Sequence, residues 1–560
     1  MRKLHTLFLC IWVSIVAYGQ GFAIDPTKPV SAADVVITAH NLAFFDEDSL
    51  RVVAPEDVLT ARAGRRVSPG EIHGEGNATL ADADLYSYNY PSVDADGNKI
   101  TLSALMAVPT KMVLDGLHAM PNNMIIGCHV TITSNYECPT EYNKSGGSGS
   151  WQSDVGMQIC YARYDFFRQP CCLVIMPDYE GYGVSKNRPH PYLYQELTAR
   201  QVADAARYGL ALYNANIEAG EKFCDFESGW KSVCVGYSQG GSVALATHRF
   251  IEENGLASEL HFAGSVCGDG PYDPVEHLLY YMLDNGTSYD GDNYTVHDAN
   301  TVTMPIVMPL ILKGMCDSNP FMRGHKVSDY LSEKFLRTGV IDFINAKSKD
   351  KDNQYSTDKI NDAFKAMRKN GLNYVYTDEN GVKKSGHYSS SQITEMLYQE
   401  KNDNVHGRLS QIMTSEAYDY FTNLAAQRQN QPEVETPSDR GVMKDLHRAL
   451  ASNSLVTGWT PTHRIGFYHT TYDTVVPYAN LLSFMRHQNG LKYYFHDTSR
   501  ARSKAAGVNP SHIVSEGSAD VYIFDDDCKD DHVGGGREFY VWGSPSPDYR
   551  LIKWVLEGKK

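Results

Sequence analysis

The sequence predicts an α/β architecture: a mostly parallel sheet flanked by helices and interrupted by a large, mainly helical insertion. Three observations predict it. Short apolar runs alternate with helix-patterned stretches at Met124–Cys128, Cys172–Met176, Val233–Tyr237, Phe262–Cys267 and Ile465–Tyr468, as buried parallel strands covered on both faces require. One of these runs passes through a glycine-flanked serine directly into a helical stretch. Between the last two runs, residues 271–454 lose the strand and helix rhythm and carry polar helical pieces instead.

The chain opens with Arg2 and Lys3, an apolar stretch from Leu7 to Val16, and Ala17-Tyr18-Gly19 before Gln20. These are the three regions of a secretory signal peptide, so residues 1–19 are expected to be removed and the mature chain to be secreted or periplasmic. The apolar stretch falls short of the roughly 20 residues that span a bilayer, and no integral membrane span is expected. A formal charge of -16 argues against nucleic acid or an anionic membrane as partner. No Cys-x-x-Cys or Cys/His spacing suggests zinc, and neither a metal nor a cofactor is expected. Cys172, Cys234 and Cys267 lie in apolar runs and are expected to be small buried hydrophobes.

Residues 20–80 carry no strong period and are taken as an N-terminal extension laid over the domain. Tyr86–Pro91 and Ile100–Val108, on either side of Asp94-Ala95-Asp96-Gly97-Asn98, form a hairpin signal. It opens the first part of the core, residues 81–274. Ala199, Val202, Ala206, Leu210 and Tyr213 recur at helical spacing and mark a crossover helix. The insertion covers residues 275–452, with helical pieces at Asp358–Lys369 and Leu409–Arg428 and a flexible connector at Gln429–Asp439. Residues 453–560 complete the core.

The chemistry concentrates at Gly236-Tyr237-Ser238-Gln239-Gly240, placed between the apolar run and the helix. In that context the turn exposes Ser238 as a nucleophile, with glycines two residues before and after it to relieve backbone crowding. A serine hydroxyl needs a histidine to take its proton and a carboxylate to orient that histidine, in the chain order serine, acid, histidine. Asp473, just past the run Ile465–Tyr468, stands where open α/β sheets collect their sites. Its alternative is a structural turn. Downstream of it, His487 falls in the helical stretch Tyr478–Gln488 and His496 ends a strand-like run. His532 follows the strand Val521–Phe524 and precedes Gly534-Gly535-Gly536, so a loop can present it to the serine, and it is preferred to His512. The aspartates at 525–527, 530 and 531 are expected to be a solvated acidic loop. One oxyanion donor is expected from the N–H of Gln239. The other is expected from Val130 or Thr131, in the loop after Met124–Cys128.

These residues, with Pro177-Asp178-Tyr179-Glu180-Gly181-Tyr182-Gly183, His190-Pro191-Tyr192 and Gly270-Pro271-Tyr272-Asp273, resemble the secretory lipase branch of the α/β-hydrolase superfamily. That is the lipase A-like family and its bacterial relatives. The resemblance covers about residues 85–275 and 445–540. It implies an α/β-hydrolase fold, the triad Ser238, Asp473 and His532, and a cap formed by the insertion. Relatives often have His-Gly-Thr at the oxyanion loop, where this chain has His129-Val130-Thr131.

The implied function is a secreted serine carboxylic-ester hydrolase, an esterase or lipase, acting on a small-molecule or lipid ester. One alternative is a serine peptidase of the prolyl oligopeptidase type. The residues ahead of the first hairpin are too few to build the β-propeller such chains usually carry. The other is a catalytically inactive hydrolase-fold binding protein, which the presence of all three triad residues in order opposes.

Overall fold

The computed structural model describes residues 25–45, 50–54, 83–110, 119–144, 153–163, 171–218, 223–283, 299–345, 356–378, 380–399, 405–428, 435–496, 508–526, 531–540 and 546–557. The signal-like segment 1–19 and Gln20 lie outside them, as does most of the extension. Among the described residues no helix is long and apolar enough to cross a membrane.

Eleven strands form one sheet. In chain order its first eight are β1 (Val36–Phe45), β2 (Leu50–Val53), β3 (Ala83–Val93), β4 (Lys99–Pro109), β5 (Asn123–Cys128), β6 (Cys172–Pro177), β7 (Ser232–Tyr237) and β8 (Phe262–Gly268). The insertion carries β9 (Thr301–Thr303), β10 (Leu372–Thr377), β11 (Lys383–Tyr388), β12 (Leu397–Gln399) and β13 (Val405–Arg408). The core closes with β14 (Arg464–Thr470), β15 (Tyr493–Phe495) and β16 (Val521–Asp526). The order across the sheet is β15-β16-β14-β8-β7-β5-β6-β4-β3-β1-β2. From β15 to β6 every pairing is parallel, and from β6 to β2 every pairing is antiparallel.

The antiparallel end begins with the expected hairpin. Asp94 Oδ1 accepts from the N–H groups of Asp96 and Asn98 at 3.0 and 2.9 Å, and Gly97 supplies the positive φ of 79° that the turn needs. Part of the N-terminal extension does more than lie over the domain: β1 pairs with β3, β2 pairs with β1, and both lengthen the sheet. Val36 and Ile37 remain exposed on this strand, which explains why no clean alternation marked it.

Of the parallel strands, β6, β7 and β14 are buried over their whole length and β5 and β8 at all but one residue each, as their continuous apolar runs require. The helices Gln195–Glu218, Gln239–Glu253 and Ala479–His487 cover one face through Val202, Tyr213, Leu245 and Leu481. The helices Asp531–Tyr540 and Pro547–Glu557 cover the other through Phe539, Leu551 and Val555. The chain leaves β5 toward β6 on one side, while β7 lies on the other. The carboxyl ends of β5 and β7 therefore flank a topological switch point, where open sheets form a crevice.

The insertion has its own core, with Met315, Phe335, Phe364, Ile393, Leu409 and Phe421 at its centre. Its helix Thr357–Asn370 buries Ile360 and Phe364, one turn apart, is capped by Ser356 and ends at Gly371 with φ 73°. The single helix expected at 409–428 is two, Leu409–Ile412 and Ser415–Arg428. The break falls where the Thr414 N–H bonds the Tyr330 carbonyl and the Thr414 hydroxyl caps Ala417. Helices dominate the insertion, but β9, β12 and β13 form a small antiparallel sheet and β10 and β11 a hairpin. β9 and β12 have three residues each, β13 has four and β11 is polar, so no period-2 apolar signal marks them, and in β10 the exposed Val375 masks the alternation of Leu372, Tyr374 and Tyr376.

Candidate active site

Ser238 sits at the turn between β7 and the helix Gln239–Glu253, with φ 57° and ψ −124°. A serine in this region is strained, and close backbone packing holds it there. A Cβ on Gly236 would lie 2.3 Å from the Gly240 carbonyl oxygen, and one on Gly240 would lie 2.1 Å from that of Cys128. The glycine spacing is therefore set by the crossing of three backbones.

Asp473 lies just beyond β14. Its Oδ1 accepts from the N–H groups of Val475 and Val476 at 2.8 and 2.7 Å, so it does cap the following turn. Its Oδ2 lies 2.5 Å from His532 Nδ1. His532 Nε2 in turn lies 2.8 Å from Ser238 Oγ. Burial alone would lower the His532 imidazole, but Asp473, Asp269 and Asp531 outweigh it and raise it to about 9. Burial pushes the Asp473 carboxyl up to about 6 against the pull of His532.

His532 is not on a loop. It is the second residue of the helix Asp531–Tyr540, and Gly534, Gly535 and Gly536 lie inside that helix. The reason is Tyr237: a Cβ on Gly535 would lie 2.7 Å from its hydroxyl and one on Gly536 2.9 Å from its ring. Three glycines read as a loop signal because the partner from β7 that requires Gly535 and Gly536 is distant in sequence. The acidic run also departs from a solvated loop. Asp531 is buried at φ 61°, and its carboxylate accepts from the Thr474 N–H and hydroxyl, each at 2.8 Å. It ties the segment bearing His532 to the segment bearing Asp473. Asp527 and Asp530 lie outside the described residues.

The other histidines are engaged elsewhere. His487 bonds the Ser483 carbonyl of its own helix, His496 stacks on Phe524 at 4.1 Å, and His512 ends a short turn beside β15.

Gln239 begins its helix, so its N–H has no acceptor within that helix. In the loop after β5 the two expected donors differ. The Val130 N–H is taken by Asp154 Oδ2 at 3.1 Å. The Thr131 hydroxyl bonds Tyr192 at 2.8 Å, and among the described residues no acceptor meets the Thr131 N–H. His129 is buried and held near pKa 4, chiefly by that burial. The neutral ring lies 2.7 Å from the Val130 carbonyl through Nδ1 and stacks on Tyr179 at 3.9 Å, so it orients the loop.

Asp154 and Asp269 were not found from sequence. Asp154 opens the helix Asp154–Ile159 after Ser153, which makes it look like any acidic first-turn residue. Burial raises its carboxyl to about 6, and Tyr540, Val130 and Gln158 bond it. Asp269 follows β8 in a Gly-Asp-Gly stretch that reads as a turn.

A cavity of about 820 Å³ lies over Ser238 and His532. Its walls come from the core through Met157 and Leu193, and from the insertion through Met304, Ile306, Val307 and Ile311. The insertion thus encloses one side of the space above the serine, and most of that wall is apolar.

No family model matches the sequence, and no curated protein does. Solved structures do. The rice cell wall degrading esterase LipA from Xanthomonas oryzae is similar with a TM-score of 0.53 at 15% identity, over 95% of this chain and 100% of that one. A ligand-bound form of the same esterase gives 0.50 at 16%, over 90% and 95%. Candida antarctica lipase A gives 0.46 at 14%, over 85% and 78%. With its sheet order, its strained serine turn and this likeness to the esterase structure, the chain has the α/β-hydrolase fold.

Proposed function

We propose that the protein is a serine carboxylic-ester hydrolase that works through an acyl-enzyme on Ser238. The observation that carries this is the continuous relay from Ser238 Oγ to His532 Nε2, and from His532 Nδ1 to Asp473 Oδ2, at 2.8 and 2.5 Å. Ser238 Oγ attacks the ester carbonyl while His532 takes its proton, and Asp473 stabilises the imidazolium. The N–H groups of Gln239 and Thr131 receive the oxyanion. His532 then protonates the leaving alcohol, and a water activated by the same histidine releases the acid.

The apolar cavity favours an uncharged acyl or alcohol group, and the fold shared with a solved esterase supports the ester class. The chain is further taken to be exported, on the strength of residues 1–19. An ester expels an alkoxide that His532 protonates readily, whereas an amide nitrogen must be protonated in the transition state. The purified mature protein should therefore hydrolyse short and medium p-nitrophenyl esters and leave aminoacyl and dipeptidyl anilides intact. Turnover of proline-containing anilides without turnover of simple esters would place it among the peptidases. Turnover of neither class would support a binding protein.

A further inference from the structure

Behind the relay lies a second carboxylate that the mechanism above does not use. Asp269 follows β8 as Asp473 follows β14, and the two strands are parallel neighbours paired at Gly268 and Tyr468. Both acids therefore emerge at the same end of the sheet. A carboxylate oxygen of Asp269, one of Asp473 and a ring nitrogen of His532 all lie within 4.8 Å of one another, and all three residues are buried. Asp269 has φ 36°, a left-handed conformation that a non-glycine residue keeps only when its surroundings impose it. Here the Asp269 N–H bonds the Tyr468 carbonyl at 3.0 Å, which turns the side chain inward.

One of its contacts leads, through Tyr237, to the backbone of His532, and the others tie it to β14. Asp269 Oδ2 lies 2.5 Å from the Tyr237 hydroxyl, which lies 2.6 Å from the His532 carbonyl. Asp269 Oδ1 accepts from the Thr470 N–H and faces His469 Nδ1, both at 2.9 Å. Each carboxylate oxygen can accept more than one hydrogen bond, so the Tyr237 bond leaves capacity on Oδ2.

We propose that Asp269 is a second positioning carboxylate for His532, sharing the imidazolium with Asp473 and orienting the ring when Asp473 is removed. The proposal rests on the relay assigned above. Two adjacent strands thus each supply an acid to one histidine, and the loss of either leaves the other in reach.

The groups facing His532 are Asp473 after β14, Asp269 after β8 and Tyr237 on β7, and His469 on β14 lies behind Asp269. Asp531 and Arg537 belong to its own helix. Removing the charge of Asp269 weakens the stabilisation of the imidazolium, so the neutral, active imidazole forms at lower pH. A purely structural Asp269, clamping the ends of β8 and β14, predicts lost stability without that shift.

The test uses p-nitrophenyl butyrate with the full mature chain and measures kcat/KM against pH, with thermal unfolding in parallel. Triad aspartate-to-asparagine changes elsewhere cost about 10⁴ in kcat. Here Asp473→Asn should cost about 10² or less, Asp269→Asn less than about tenfold, and the double variant about 10⁴. Asp269→Asn should also move the rising limb of the profile to lower pH. Asp473→Ala, which leaves room for the ring to turn, and Asp269→Ser are read in the same way if an asparagine variant does not fold. The proposal is overturned if Asp473→Asn alone costs about 10⁴, the double variant costs no more, and the Asp269→Asn limb stays in place. Full activity in Ser238→Ala would instead overturn the serine mechanism on which it rests.

Discussion

Replacement of Ser238 by alanine is expected to lower kcat for ester hydrolysis by about six orders of magnitude, as nucleophile removal does in a serine hydrolase. The residual rate should be that of binding and oxyanion stabilisation alone. Stability should change little. Ser238 is strained at φ 57°, and alanine retains the Cβ while losing only a hydroxyl bonded to His532. The check is kcat on a p-nitrophenyl ester beside a thermal unfolding curve. A variant that folds and keeps more than about a hundredth of wild-type activity would exclude Ser238 as nucleophile.

The second large effect is expected from Gly240→Ala. Its Cβ would meet the Cys128 carbonyl oxygen at 2.1 Å and the His129 carbonyl oxygen at 2.8 Å. Both contacts are with backbone, so no side chain can swing away. The helix start and the loop after β5 must then move apart, at a cost of about 3 kcal/mol in stability. That movement also separates the Gln239 and Thr131 N–H groups, and loss of one oxyanion donor lowers kcat by about 10² to 10³. Gly490→Ala is the control. Nothing lies within 4 Å of its Cβ position, and unfolding and turnover should stay near wild type. Equal behaviour of the two variants would refute the crowding argument for the motif.

The parallel strands were legible in the sequence because a strand buried on both faces is apolar throughout. Five such runs appear as β5, β6, β7, β8 and β14 within one or two residues at each end. The residues of the relay were legible for a different reason: the chemistry fixes their types and the fold fixes their order. What stayed hidden depends on partners distant in sequence. Gly535 and Gly536 stand in a helix where Tyr237 packs too close to leave room for a Cβ. Asp531 is buried and bonded by Thr474, and no local pattern separates it from its acidic neighbours. Asp154 selects between two adjacent N–H groups from another segment altogether. Most of the small strands of the insertion are too short or too polar to show a period, and exposed Val375 masks the one in β10.

The central claim is that Ser238 carries the acyl group. Its most direct test is peptide mass spectrometry of the mature protein after reaction with a fluorophosphonate, which captures an activated serine irreversibly. A single adduct on Ser238, with parallel loss of ester hydrolysis, is the predicted result. An adduct on another residue, or full loss of hydrolysis with Ser238 unmodified, would contradict it.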